Sequence, residues 1–364
     1  MLTQLATSLS LLHAHYKSGL FDSKSLKVVN VARKLSFFSG QWADVPLADL
    51  AQKAQSWGYD GIELANFGDH FNARRALDDD SYVQEWQRTL SDHGLEAVAI
   101  SAHPLGQAIT DFIIDDRHRA VLPAQVWGDG KPEGVRQRAA ASMIELAHAA
   151  ARVGVPTVVG FSGSPHWHGI AGFPPVSAAD VDAGFREFAD RWNPIIDAFE
   201  AADVRFALEV HPGQVAFDYW STKQTLDALN WRPGFGINFD PGHLYWQFID
   251  LHGFLQDYAE RIYHVHVKEA TRHLNGRNGI LSGLMDFGDL HRGWDFASVG
   301  HGDLNWEAII RTLNGIGYEG PLSVEWDDAH ISREVALRDA VPYLRAASVE
   351  RSGGDFQQVF GLEA

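Results

Sequence analysis

RFALEVHPG at residues 205–213 decides the fold, and FGINFDPGH at 235–243 and RIYHVHVKEA at 261–270 repeat its plan. Each is a β-rich run that ends in acids or histidines and turns into a loop or helix. Five further runs follow the same pattern: KLSFFSG (34–40), GIELAN (61–66), EAVAISAH (96–103), TVVGFSG (157–163) and PLSVEWD (321–327). Segments with apolar residues at three- and four-residue spacing lie between them, which predicts amphipathic helices over 46–57, 81–93, 133–153, 179–201, 305–316 and 332–346. In the 133–153 segment, Ala139, Met143, Leu146 and Ala150 fall on one face. SWGYDGIEL (56–64), DHGLEAVAI (92–100) and RVGVPTVVG (152–160) place a Gly where a helix gives way to a strand, as a left-handed cap requires.

Strands that alternate with helices predict a parallel sheet, because a parallel crossover needs about a dozen residues. Eight such units close into a (β/α)8 TIM barrel. The rival is an open doubly wound sheet, whose first strand usually leads into a Gly-rich phosphate loop. Here the first strand ends in SGQWADVP, which has no such loop. The expected division is an N-terminal extension (1–33), the barrel (34–347) and a C-terminal tail (348–364). Long connections at 104–132, 164–178 and 269–304 all follow strands. They therefore extend the βα loops at the C-terminal face, where barrel active sites sit.

The chain has 364 residues, with 30 Lys and Arg against 47 Asp and Glu, a formal charge of −17. Nucleic-acid binding needs clustered basic residues, so this balance argues against it. No apolar stretch approaches ~18 residues, so no membrane span is expected. Cysteine is absent, which excludes disulfides, thiolate nucleophiles and Cys-ligated metals. The N-terminus has no basic region before its apolar part and makes a poor signal peptide, so a cytoplasmic location is expected.

The candidate chemistry collects at strand ends. Glu209 and His211 share one face of the fifth strand, and Asp240 ends the sixth. His264, His266 and Lys268 share a face of the seventh, and Glu325 and Asp327 flank Trp326 on the eighth. Barrel interiors favour branched apolar side chains, and an isolated buried carboxylate costs several kcal/mol. Four consecutive strands carrying such groups at one end imply a shared divalent cation held by Glu209, Asp240, His266 and Glu325. Three carboxylates and one imidazole suit Mn2+ first, with Mg2+, Co2+ or Zn2+ also compatible. HWHG at 166–169 has no acid beside it and reads as a loop rather than a metal motif.

EVHPG (209–213), DPGH (240–243), HVHVKEA (264–270) and SVEWDD (323–328) together resemble the xylose-isomerase-like barrel superfamily. That group includes sugar isomerases and epimerases, inosose dehydratases, hydroxypyruvate isomerases and endonuclease IV-type repair enzymes. The resemblance spans about 34–347. It implies metal ligands at Glu209, Asp240, His266 and Glu325, and a metal or substrate contact at His243. Arg272 falls six positions after the metal histidine, where the ketose 3-epimerases carry an Arg. The family often has Asp after the seventh-strand Lys, where this chain has Glu269.

The ligand set implies chelation of neighbouring sugar oxygens and a metal-stabilised enediolate. Glu209 and Glu325 are the expected proton-transfer pair, with His211 and Lys268 as further acid–base candidates. Elimination from a keto-sugar, 3-keto-glycoside or inosose would share the first proton abstraction, so a lyase or dehydratase stands as the alternative. Lys268 is equally a salt-bridge residue, and Glu63 faces either the pocket or a helix. Trp127, His166, Trp167, His168, Trp294 and His301 lie in the long loops, and aromatic faces suit sugar rings. They equally suit packing of loop on loop. His103 ends the third strand at the same rim and is a hydroxyl-binding candidate. No basic cluster or Gly-rich cradle marks a phosphate site, so a neutral sugar or keto-sugar is the expected substrate. A homo-oligomer is compatible with the resemblance.

Overall fold

The computed structural model describes residues 33–170, 172–282 and 284–349. The extension and tail expected from the sequence fall outside these residues, apart from Arg33, Ser348 and Val349. Residues 33–349 form one compact unit.

The strands are β1 (Leu35–Phe37), β2 (Gly61–Ala65), β3 (Glu96–Ser101), β4 (Thr157–Gly160), β5 (Arg205–Glu209), β6 (Phe235–Phe239) and β7 (Ile262–Val267), followed by β8 (Glu269–Arg272), β9 (Trp294–Ala297) and β10 (Leu322–Val324). Eight of them make a parallel sheet in the order β1-β10-β7-β6-β5-β4-β3-β2. A parallel bridge between Phe38 and Glu63 links its two edges, so the sheet is a nearly closed TIM barrel with helices around it. All eight expected strands are present, each shorter than its sequence pattern. The polar ends of the patterns leave the ladder and enter the loops.

Helices Leu47–Trp57 and Pro132–Val153 end at Gly58 and Gly154, both in the left-handed conformation. A residue with a Cβ would be strained there. Ala139, Met143, Leu146 and Ala150 are buried, as their spacing predicts. Helix Ala178–Ala201 starts with a capping box between Ser177 and Asp180. Its Phe188, Trp192 and Phe199 pack around Phe206 of β5 and Phe235 of β6. These aromatics bury large apolar areas. They anchor the two strands that present Glu209 and Asp240.

Two expected loops are structured. The 104–132 connection contains helices His103–Thr110, Asp116–Val121 and Ala124–Trp127. His103 therefore begins a helix instead of ending β3, with Pro104 in the first turn. Gly106 lets that helix approach β4, because a Cβ there would stand 1.9 Å from the Phe161 carbonyl oxygen. The 269–304 connection contains the antiparallel β8–β9 hairpin, with Glu269 opposite Ala297 and Arg272 opposite Trp294. Among the described residues, no helix is long and apolar enough to cross a membrane.

Candidate metal centre and active site

Strand register sets the level of the site. Glu209 pairs with Asn238, Asn238 with His264, and Ser323 with His266. Asp240 follows β6 and caps helix Pro241–Trp246, its Oδ1 accepting a hydrogen bond from the Gly242 N–H at 2.8 Å. Glu325 follows β10 directly, and its N–H donates to the Val267 carbonyl. The structure thus gathers Glu209, Asp240, His266 and Glu325, each offering one ligand atom within 4.8 Å of the others. All four are buried.

His266 Nδ1 lies 3.1 Å from Glu209 Oε2 and 2.9 Å from Glu325 Oε2. The approach is close but not aligned for hydrogen bonding. His266 Nδ1, Asp240 Oδ2 and Glu325 Oε2 are buried without a hydrogen-bond partner, and so is His243 Nε2. Buried polar atoms are rarely left unpaired. Unpaired oxygen and nitrogen lone pairs that converge are the donor set of a divalent cation, so these residues fit one.

Electrostatics agree. Burial pushes the Asp240 carboxyl up to about 6, opposed by His243 and Lys268 and reinforced by Glu209 and Glu325. Burial also acts to raise Glu209, but the hydrogen bond from His103 and the close approach of the His243 and His266 rings hold it well below the usual carboxylate range. At Glu325 burial is outweighed chiefly by Lys268, which leaves the carboxyl at about 2. Crowded acids of this kind are relieved by a cation.

Around the four, His103 Nε2 donates to Glu209 Oε2 at 3.0 Å, and Asn238 Nδ2 donates to the same oxygen at 3.3 Å. His243 Nε2 stands 3.2 Å from Glu209 Oε1 and 3.4 Å from Asp240 Oδ2. Gln41 Nε2 donates to Glu325 Oε1 at 3.2 Å. Lys268 Nζ lies 3.2 Å from Glu325 Oε1 and 2.5 Å from Asp327 Oδ2, so its ion pairs run to these acids. Burial would discharge Lys268, but Asp327, Glu325 and Asp240 hold its ammonium well above the ordinary value. Its acidic neighbours therefore hold it as a cation. Burial, with His243 adding, pushes His211 well below its ordinary value, so its ring is neutral. His211 Nδ1–H donates to the Pro212 carbonyl, which leaves Nε2 with its lone pair, and the ring packs 3.9 Å from that of His243.

Three of the expected substrate contacts have partners of their own outside the quartet. Arg272 stacks on Tyr245 and Phe248, and its backbone N–H is held by Asp303. Trp127 packs against the core, with its carbonyl taken by Arg138. His301 is exposed in the turn after β9, where its N–H donates to Ser298. The loop aromatics mainly fold loops together. Trp294 is buried and stacks on Trp246 with centroids 4.5 Å apart, Trp167 packs on Phe217, His166 on Phe185 and His168 on Phe112.

Asn238 and Gln41 were not singled out from the sequence. Asn238 had a signal, since it alternates with Asp240 on the same strand. Gln41 had none, because it reaches Glu325 from a turn 284 residues away.

Glu269 lies just outside the centre. Its Oε2 accepts the Gly302 N–H, and burial pushes its carboxyl up to about 7 from an ordinary 4.5, against the lowering effect of that contact. The folded chain therefore holds a proton between those values that an unfolded chain releases. Stability declines by about 3 kcal/mol as pH rises through this window. Glu269→Gln keeps an acceptor for Gly302 and removes the charge. Urea unfolding at about pH 5 and about pH 8 is expected to show the variant gaining on the wild type only at the higher pH.

Residues 51–347 match the xylose isomerase-like TIM barrel family. The chain is 24% identical over 332 residues to the uncharacterized protein YfiH of Bacillus subtilis (strain 168), covering 86% of this chain and 98% of that protein. The probable 3-DHS dehydratase AsbF, from Bacillus anthracis, superposes with a TM-score of 0.61 at 19% identity, covering 86% of this chain and 98% of AsbF. The 3-keto-D-glucoside 4-epimerase YcjR, from E. coli, superposes with a TM-score of 0.61 at 16% identity, covering 86% of this chain and 99% of YcjR. At these identities the superpositions speak for the fold alone.

Proposed function

Because the chain belongs to the xylose isomerase-like TIM barrel family, we propose that it is a divalent-metal-dependent sugar isomerase or epimerase that moves a proton at a carbon beside a carbonyl. The observation that carries this is the buried quartet, whose ligand atoms lie within 4.8 Å of one another. Glu209, Asp240, His266 and Glu325 would hold the cation, Mn2+ first among those the donor set suits, and it would supply positive charge to neighbouring substrate oxygens.

Glu209 is the proposed base. Its ionised carboxylate is held by His103 and Asn238, and it removes the proton from the reacting carbon. Glu325 stands three strands further round the rim, with β6 and β7 between, and passes a proton taken from the Lys268 ammonium to the other side of the carbon. Lys268 sits against Glu325 and is the source of the proton that Glu325 passes on. His103 and His243 touch Glu209 and are placed to meet a substrate hydroxyl as well. The cation nearest the quartet, Lys268, is already paired to acids, which favours a neutral sugar or keto-sugar over a phosphorylated one.

One observation favours the lyase reading. The neutral His211 has a free Nε2, and Lys268 is a charged proton donor at the same rim, so a second base and an acid for a leaving oxygen are both present. NMR in D2O distinguishes the two. The Mn2+-loaded protein is incubated with ketohexoses, an inosose and 3-keto-glycosides. Deuterium entering one carbon without loss of a group supports the isomerase or epimerase, and an unsaturated product supports the lyase. No exchange and no product with any of them contradicts both.

A further inference from the structure

We propose that Glu63 is a positioning residue for the metal centre, locking His266 with its Nδ1 lone pair toward Glu209, Asp240 and Glu325. This rests on the metal reading above and extends it to a residue beyond the ligand set. Glu63 lies on β2 and is fully buried in the barrel interior. Its neighbours in the ladder are apolar or small, so a carboxylate here needs a reason. Four donors converge on it from three other strands. His266 Nε2 stands 3.0 Å and 3.1 Å from its two oxygens, His264 Nε2 stands 2.8 Å from Oε2, Ser323 Oγ donates to Oε2 at 2.7 Å, and Ser101 Oγ donates to Oε1.

The geometry decides the tautomer. A carboxylate bonded to four donors accepts only, so His266 must present N–H at Nε2. Nδ1 is then left to face the three acids, where it is buried without a hydrogen-bond partner. Outer carboxylates of this kind fix ring orientation and raise ligand basicity, and losing one typically costs 10–100-fold in metal affinity. The competing role is purely structural: Glu63 also bridges to Phe38, where the barrel edges meet.

Mn2+ titration followed by the electron paramagnetic resonance of the free ion separates the two. Glu63→Gln keeps the size, but its amide offers one acceptor and an N–H2 group to four donors. Its dissociation constant for Mn2+ is expected to rise about 10–100-fold. Ser323→Ala removes one donor, leaves both imidazole contacts, and is expected to stay close to wild type. A Glu63→Gln protein that melts lower yet binds Mn2+ with wild-type affinity overturns the proposal. A second measurement needs no variant: 15N NMR of the Zn2+-loaded wild type is expected to show the His266 proton on Nε2. A proton on Nδ1 overturns the proposal. A wild type that takes up neither ion overturns the metal reading itself, which is a distinct result.

Discussion

Glu209→Gln is expected to slow turnover by about 10²–10⁴-fold, the usual contribution of a positioned acid or base. The substitution keeps the side chain's size and leaves an acceptor for His103. It removes the negative charge and the basic oxygen together. Glu325→Gln is expected to lose a similar factor. The double variant should be little worse than either single one, because groups that act as a unit do not add. The measurement is the rate at which substrate hydrogen exchanges with D2O at saturating Mn2+. Trp127→Ala, whose contacts run to the core, is the matched control and should stay close to wild type. If both Gln variants turn over normally, the acid–base assignment is wrong.

Removing the cation is expected to have the second large effect. Without it, three carboxylates and an imidazole face one another in a buried space, and Asp240 tends to keep a proton. Chelation should abolish turnover, and added Mn2+ should restore it. Folding should respond as well, because an ion that binds only the folded state stabilises it by about 2.7 kcal/mol at 100 times its dissociation constant. For a chain of this length that is a rise of a few degrees in Tm. Asp240→Asn relieves the crowding. It is expected to melt above the wild type in chelator and to gain little from Mn2+. A wild-type Tm that is indifferent to Mn2+, Mg2+, Co2+ and Zn2+ alike would contradict this.

The eight strands were legible because each combines a β-rich run with a polar end, and the helices because Ala139, Met143, Leu146 and Ala150 repeat at helical spacing. The quartet was legible for a related reason: carboxylates and histidines inside buried strands stand out against the apolar residues a barrel prefers. Glu63 was not resolved in the same way. Its partners His264 and His266 lie 201 and 203 residues away, and only the closing of the barrel brings them to it. The β8–β9 hairpin was hidden because its strands are four residues each and follow β7 without a helix between. Trp294 suits a sugar ring and loop packing equally in the sequence, and its stack on Trp246 joins segments whose proximity no local pattern shows. Arg272 falls at the epimerase offset from His266 that the resemblance implies, and the hairpin that stacks it on Tyr245 and Phe248 has no local signal.

Anomalous diffraction from a crystal soaked in Mn2+ tests the metal centre most directly. The expected result is one strong peak bounded by Glu209, Asp240, Glu325 and the Nδ1 of His266, and no peak in the Asp240→Asn crystal. An empty centre in the wild type, or a peak held by other residues, would contradict it.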